Sequence, residues 1–281
     1  MINKIGIIGA GVMGSGVAQV FSEHKFDVML MDCQESALEN ASQNIYNTCR
    51  LQIFRNREAE SADQILKRIT NTTELTALSE CDFIVENITE EIDSKLQLYQ
   101  QLDRICKPDI IIAANTSCIS ITKLAAATNR RKNIIGIHFM NPVPMIHAVE
   151  VIKGYYTTEE TIQTTIALMR QIHKESIIVK DFPGFVSNRI SHLMMNEAAF
   201  IIQDSCATAR DIDDIFTKCY GHKMGPLETA DLIGLDTVVL SLEVLYNSYQ
   251  DSKFRCCPLL KKMVDAGLLG RKSGEGFYIY K

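Results

Sequence analysis

Over the first 180 positions, short continuous apolar runs alternate with longer stretches in which apolar residues recur every three or four positions. The runs at 5–8, 28–31, 83–85, 110–113 and 134–138 have the length and the absence of polar interruption expected of strands buried on both faces. The stretches between them, notably 35–54 and 92–105, carry the helical period. Two further apolar runs, 148–152 and 177–179, are expected to extend the same sheet. Strands alternating with helices predict repeated βα units over a parallel sheet. At Asp181-Phe182-Pro183-Gly184 the pattern changes. Proline and glycine punctuate the chain there, and helical periodicity dominates over 185–204, 211–219, 226–249 and 258–266. Thr208 and Asp211 stand where helix N-caps are expected. No internal repeat or low-complexity linker interrupts either part.

The first run leads into Gly9-Ala10-Gly11-Val12-Met13-Gly14, and the second ends at Asp32. Strand, G-x-G-x-x-G and a following acid make up a dinucleotide-binding fingerprint. Gly9 permits the tight turn, Gly11 close approach of a pyrophosphate, and Gly14 close packing of helix on sheet. The free N–H groups at the helix start, around Val12 and Met13, favour the phosphate charge. Asp32 is expected to accept hydrogen bonds from ribose hydroxyls and to repel a 2′-phosphate. Cys33 stands where an arginine would welcome that phosphate, so NAD is expected in preference to NADP. The fold class is therefore α/β: a Rossmann-type doubly wound sheet over residues 1–183, followed by an all-helical domain over 184–281.

Composition narrows the alternatives. Hydrophobic residues make up 46% of the 281 and charged residues 22%, and the net charge is -5, which leaves no basic face for nucleic acid. No apolar stretch has the length of a membrane span. The first strand and glycine turn already occupy residues 1–11, so no targeting peptide is expected there. The nine cysteines lack metal-ligand spacing, and reduced thiols in a cytoplasmic protein are expected, with no metal.

Polar residues past the carboxyl ends of parallel strands are placed to meet a ligand. Asn115-Thr116-Ser117-Cys118 follows one strand, although such residues are also common turn chemistry. No G-x-S-x-G elbow surrounds Ser117, so it is not a nucleophile candidate, while Cys118, beside this loop, is the thiol to watch for oxidation or alkylation. His138 ends the next strand. Glu150 lies within the apolar run Ala148-Val149-Glu150-Val151-Ile152, where a carboxylate is costly to bury unless paired. His138 is the economical partner, and the pair would suit general-base chemistry. Asn188 opens the first helix of the second domain.

These motifs resemble the short-chain L-3-hydroxyacyl-CoA dehydrogenase family, nearly end to end. The resemblance rests on Gly9-Ala10-Gly11-Val12-Met13-Gly14-Ser15-Gly16, Val85-Glu86 with Glu90 and Lys95, Asn115-Thr116-Ser117 and His138-Phe139-Met140-Asn141-Pro142. It continues in Pro183-Gly184-Phe185 with Asn188-Arg189, Met224-Gly225-Pro226-Leu227, and Gly270-Arg271-Lys272-Ser273-Gly274-Glu275-Gly276-Phe277-Tyr278. It implies that His138 is the general base with Glu150 as its partner, and that Ser117 and Asn188 contact the substrate oxygen. It further implies that Asp32, Glu90, Lys95, Asn115, Ser117 and Asn141 line the NAD site, and that the helical domain forms a homodimer.

One stretch departs from the family pattern. Relatives often carry a lysine-rich segment that meets the CoA phosphates, and here Arg50, Arg55 and Arg57 are joined by Glu58 and Glu60. An acyl-carrier-protein thioester, as in polyketide extender-unit pathways, is thus an alternative to acyl-CoA. A non-catalytic NAD-binding redox sensor and a dehydrogenase of a free sugar acid such as gulonate are the other rivals. An intact His138–Glu150 pair speaks against the sensor, and activity on a free acid would expose the last.

Overall fold

The computed structural model describes residues 2–55 and 60–280, with side chains except those of 52–55. The seven apolar runs become β1 (Lys4–Ile8), β2 (Asp27–Met31), β4 (Phe83–Glu86), β5 (Ile111–Ala114), β6 (Ile134–His138), β7 (Ala148–Lys153) and β8 (Glu175–Lys180), and a further strand, β3 (Ile69–Thr72), joins them. They lie in one sheet in the order 3-2-1-4-5-6-7-8. Pairings are parallel from β3 through β6, β7 runs antiparallel to β6, and β8 is parallel to β7. Helices α1 (Val12–Glu23), α2 (Glu35–Arg55), α3 (Ala62–Leu66), α4 (Ile92–Ile105), α5 (Ile121–Ala126) and α6 (Glu159–Gln171) connect the strands. Ile5, Ile7, Val17, Phe21, Leu30, Val85 and Ile137 share one core. Burying such side chains contributes about 1.5–3 kcal/mol each, which is why the central strands read as unbroken apolar runs.

The strand order reverses direction at β1, between β2 and β4. In an open α/β sheet the crevice beyond the carboxyl ends at that switch point is where a ligand binds. Ile8 leads into the glycine loop and Glu86 into the polar segment that faces it.

The chain divides into two compact units, Met1–Asp181 and Phe182–Lys281. The second contains α7 (Ser187–Gln203), α8 (Ala209–Asp214), α9 (Pro226–Ile233), α10 (Leu235–Tyr249) and α11 (Pro258–Asp265). Its core includes Met195, Ala199, Ala230, Leu235, Val238, Leu242, Cys257 and Leu260. Thr208 is the N-cap of α8 as expected, whereas Asp211 is not a second cap but the third residue of the helix, whose side chain closes a reciprocal capping box with Thr208.

Three features differ from the sequence reading. β3, with the sequence Ile-Thr-Asn-Thr, is an edge strand whose polar residues face solvent, so it lacks the apolar signature. The expected helix over 226–249 is broken at Gly234, whose φ of 103° no helical residue adopts, into α9 and α10. The second unit is not wholly helical: the tail pairs through Gly270↔Glu275 and Glu275↔Ile279 bridges. Buried Asp231 anchors that tail by accepting hydrogen bonds from Phe277 N, Tyr278 N and Tyr280 Oη, each at 3.0 Å.

Candidate active site

The loop from β1 to α1 has the shape that the glycine spacing requires. A Cβ on Gly14 would stand 1.7 Å from the Gly9 carbonyl oxygen, so only glycine lets α1 pack this close to the turn. Gly11 is the N-cap of α1 and offers no capping side chain, and the first turn holds no acidic residue. Nothing lies within 4 Å of where its Cβ would be. The result is a helix N-terminus with unfilled space before it, which fits a diphosphate. Asp32, one residue past β2, accepts hydrogen bonds from Ala10 N at 2.8 Å and Gln34 N at 3.0 Å. A carboxylate has about four acceptor positions, so this one is fixed at the loop while retaining capacity for a ribose diol. Residues and geometry both fit a dinucleotide.

Polar side chains then join the ends of the neighbouring strands. Asn87 Nδ2 donates to the carbonyls of Val85 at 3.0 Å and Ile8 at 3.4 Å. Asn115 Nδ2 donates to Asn87 Oδ1 at 2.8 Å, and Asn115 Oδ1 accepts from Phe139 N at 3.2 Å. Glu90 Oε1 gathers the turn after β5, accepting from Thr116 Oγ1 at 2.6 Å, Ser117 N at 2.9 Å and Cys118 N at 2.8 Å.

This turn delivers Ser117 to the end of β6. There Ser117 Oγ lies 3.1 Å from His138 Nε2, while His138 Nδ1 lies 2.9 Å from Glu150 Oε2. His138 and Glu150 are directly opposed in the antiparallel β6–β7 pairing, only 6% and 7% exposed. An ionised carboxylate only accepts hydrogen bonds, so Nδ1 carries the proton and Nε2 presents its lone pair toward Ser117. The arrangement is an oriented base with a hydroxyl beside its reactive nitrogen.

Buried ions support this site from behind. Lys95 Nζ donates to Glu86 Oε1 at 2.5 Å with both side chains fully enclosed, and Glu86 also accepts from Ile88 N at 2.8 Å. Burial pushes the Glu86 carboxyl up, opposed by the charge of Lys95. Lys95, expected at the cofactor, is thus placed in a closed ion pair beneath the loop that carries Asn87 and Glu90. Lys174 is likewise buried, which lowers its pKa, and it donates to the carbonyls of Val143 and Ile146 at 2.7 and 2.5 Å. Those two bonds hold the turn that follows His138.

Asn141 is exposed in that turn, at the cis Asn141-Pro142 peptide. Asn188 sits in the first turn of α7 in the second unit, its carbonyl accepting from His192 Nδ1 at 2.9 Å. Arg50 is exposed on α2 with its guanidinium 5.8 Å from the Tyr46 ring centre. The Arg55 side chain, Arg57 and Glu58 lie outside the described residues. Glu60 is engaged by Arg68 and by Lys25, which hold its carboxyl at about 2. Sequence reasoning missed Asn87 and Lys174 and gave Glu86 no role of its own. Most of their partners lie on other elements, and only Glu86, an acid ending an apolar strand, gives a sign of itself in the sequence.

Among the described residues no cluster of three or more His, Cys, Asp or Glu side chains forms a metal site, and no helix is long and apolar enough to cross a membrane. Residues 4–182 match the family model described as 3-hydroxyacyl-CoA dehydrogenase, NAD binding domain, and residues 184–280 match its C-terminal domain. A probable 3-hydroxybutyryl-CoA dehydrogenase of Deinococcus radiodurans is 45% identical, over 99% of this chain and 100% of its own. A 3-hydroxybutyryl-CoA dehydrogenase of Bradyrhizobium diazoefficiens is 40% identical, over 100% of this chain and 96% of its own. The crystal structure of (S)-3-hydroxybutyryl-CoA dehydrogenase from Ralstonia eutropha superposes with a TM-score of 0.95 at 39% identity, covering both chains completely. With both family models matched in order along the chain, and with the dinucleotide loop and the oriented histidine in the first of them, this protein belongs to the 3-hydroxyacyl-CoA dehydrogenase family.

Proposed function

We propose that this protein is an NAD-dependent dehydrogenase that interconverts 3-hydroxyacyl and 3-oxoacyl thioesters, with 3-hydroxybutyryl-CoA and acetoacetyl-CoA as the pair it acts on. The observation that carries the reading is the Ser117–His138–Glu150 array, in which His138 and Glu150 are buried and Ser117 is half-buried, with contacts of 3.1 and 2.9 Å. NAD bound at the Gly9–Gly14 loop and Asp32 supplies the hydride acceptor, and its reduced form the donor. His138 Nε2 takes the substrate hydroxyl proton during oxidation and returns it to the 3-oxo oxygen during reduction. Glu150 keeps the proton on Nδ1 throughout and faces the positive charge that develops on the ring. Ser117 Oγ shares the side of the ring where the substrate oxygen must lie and so orients it. The resemblance assigns Asn188 to the same oxygen, and Glu90, Asn115 and Asn141 to the cofactor.

CoA is the handle favoured over a carrier protein. Of the two acidic residues that argued against phosphate binding, Glu58 lies outside the described residues and Glu60 is already paired with Arg68 and Lys25, while Arg50 is exposed. The protein is also read as a homodimer formed through its helical unit. Leu240 is 62% exposed, and Leu232, Ile233 and Val244 are exposed as well; a two-fold contact is the commonest way to cover such a face. A reducing cytoplasm suits its nine free cysteines.

The test is NADH oxidation with acetoacetyl-CoA, beside free acetoacetate and the carrier-linked acyl group. The wild type should turn over the CoA thioester best. His138→Ala should be roughly a hundred-fold slower or more with NADH affinity nearly unchanged. No turnover by the wild type, or near-normal turnover by His138→Ala, would overturn the reading. A monomer by light scattering at micromolar concentration would remove the dimer.

A further inference from the structure

The glycine loop at the end of β1 and the histidine at the end of β6 are separated by two intervening strands. Hydride and proton transfer must nevertheless be aligned on one substrate carbinol. A continuous chain of side-chain hydrogen bonds crosses this gap. It begins at the carbonyl of Ile8, the last residue before the glycine loop, passes through Asn87 and Asn115, and ends at the N–H of Phe139, the residue after His138.

The polarity of that chain is fixed at both ends by groups that cannot change role. At one end the carbonyls of Val85 and Ile8 only accept, so the NH2 of Asn87 must face them and its Oδ1 must face Asn115. Asn115 then donates with its NH2, which turns its own Oδ1 to Phe139 N, a group that only donates. A carboxamide at 87 is therefore required. An aspartate there would set acceptors against two carbonyls, and an alanine would leave the nearly buried Asn115 amide without its acceptor. The backbone of Asn87 adds a second tie: its N–H donates to Ile8 O at 2.7 Å, and its carbonyl lies 2.7 Å from where a Cβ of Gly9 would stand.

We propose that Asn87 is a positioning residue for the dehydrogenase reaction, which registers the cofactor loop against the His138 strand through Asn115. This inference rests on the thioester dehydrogenase reading above. The role needs no contact of the Asn87 side chain with substrate or cofactor, since its amide is already engaged by Val85, Ile8 and Asn115. Its effect is expected in the rate of the bound complex and not in the affinity for NADH.

The experiment compares Asn87→Ala, Asn87→Asp, Asn115→Ala and the double Asn87→Ala/Asn115→Ala variant with the wild type in acetoacetyl-CoA reduction. Each kcat is expressed per NADH-binding site, titrated by NADH fluorescence, so that misfolded protein does not count. Asn87→Ala should lower this kcat about five- to tenfold, the value of one neutral hydrogen bond, with the NADH dissociation constant within twofold of wild type. Asn87→Asp, almost identical in size, should fall at least as far. Adding Asn87→Ala to Asn115→Ala should produce no further loss, because the chain is already cut. Wild-type kcat per site in Asn87→Ala and Asn87→Asp, or full additivity in the double variant, would overturn the proposal. If Asn87→Asp does not fold, Asn87→Ala and its cycle with Asn115→Ala decide the matter. A wild type that fails to reduce acetoacetyl-CoA would instead defeat the functional reading itself.

Discussion

Glu150→Gln isolates what the carboxylate does for His138. The substitution preserves volume at a buried position directly across from the histidine, so packing is nearly constant while the charge is removed. In the wild type the 2.9 Å contact places a full negative charge beside the ring that must become an imidazolium. Two unit charges about 4 Å apart attract by roughly 4 kcal/mol at an effective dielectric constant of about 20. At about 1.4 kcal/mol per decade this would be roughly a thousandfold in rate. An amide oxygen facing Nδ1 keeps the tautomer and part of the hydrogen bond, which reduces the loss. An amide NH2 facing Nδ1 would place the proton on Nε2 and remove the base altogether. The expected fall in kcat is therefore about 10²–10³-fold, in the range typical of general acid–base catalysis. The assay is steady-state oxidation of 3-hydroxybutyryl-CoA and reduction of acetoacetyl-CoA, with NADH binding measured separately by fluorescence. Both directions should slow together, since one array serves both, while NADH affinity stays within about twofold. A Glu150→Gln enzyme within threefold of wild type would refute the claim that this charge assists proton transfer.

Asp32→Ser combined with Cys33→Arg should shift cofactor preference from NADH toward NADPH, measured as the ratio of kcat/KM for the two. A wild type using both equally would show that Asp32 does not discriminate. Asp231→Ala should destabilise the protein by about 3 kcal/mol or more in urea unfolding, because two backbone N–H groups and the Tyr280 hydroxyl lose their acceptor at a buried site, each such loss costing roughly 1–3 kcal/mol. Asp231→Asn, which keeps one acceptor oxygen, should lose less, and equal losses would contradict the assigned bonds. Arg68 and Lys25 hold Glu60 at about 2, below its ordinary 4.5. Such a depressed carboxyl contributes stability above its unfolded value and loses it as pH falls through the folded one. The stability gap between wild type and Glu60→Gln should thus be present at neutral pH and close as pH falls from about 4.5 toward 2, and a gap independent of pH would remove the ion pair from the argument.

The sheet was readable where burial on both faces leaves an unbroken apolar run, as in β1, β4, β5 and β6. The same rule fails at β3, an edge strand with polar residues, because an edge position does not demand apolar side chains. It also fails to see the break between α9 and α10. The apolar period continues through Gly234, and a lone glycine in a helical pattern is often tolerated, so only its positive φ reveals the turn. The tail was opaque for another reason. Its conformation is set by the carboxylate of Asp231, 46 and 47 residues before Phe277 and Tyr278, and no local pattern encodes that contact.

Within the site, legibility followed the same division between near and far partners. The glycine loop is contiguous in sequence, and His138 and Glu150 lie on consecutive strands only 12 residues apart. Asn87 meets Asn115 across 28 residues, and an asparagine after a strand carries no sign of that partner. Glu86 is the instructive case, since an acid ending the apolar strand Phe83-Ile84-Val85-Glu86 poses the same question as Glu150: what neutralises it. The answers differ in kind. Glu86 meets a lysine, enclosed with it and bonded at 2.5 Å, and a closed ion pair of this sort exchanges no proton with a substrate. Removing one member would strand the other, a loss of about 3–5 kcal/mol, which is the signature of scaffold. Glu150 meets an imidazole, whose second nitrogen reaches Ser117, so the charge it anchors can appear and disappear during turnover. Two buried carboxylates, one at the end of β4 and one within β7, thus meet partners of different kinds, and in the proposed reaction only the one that faces the imidazole takes part in the chemistry.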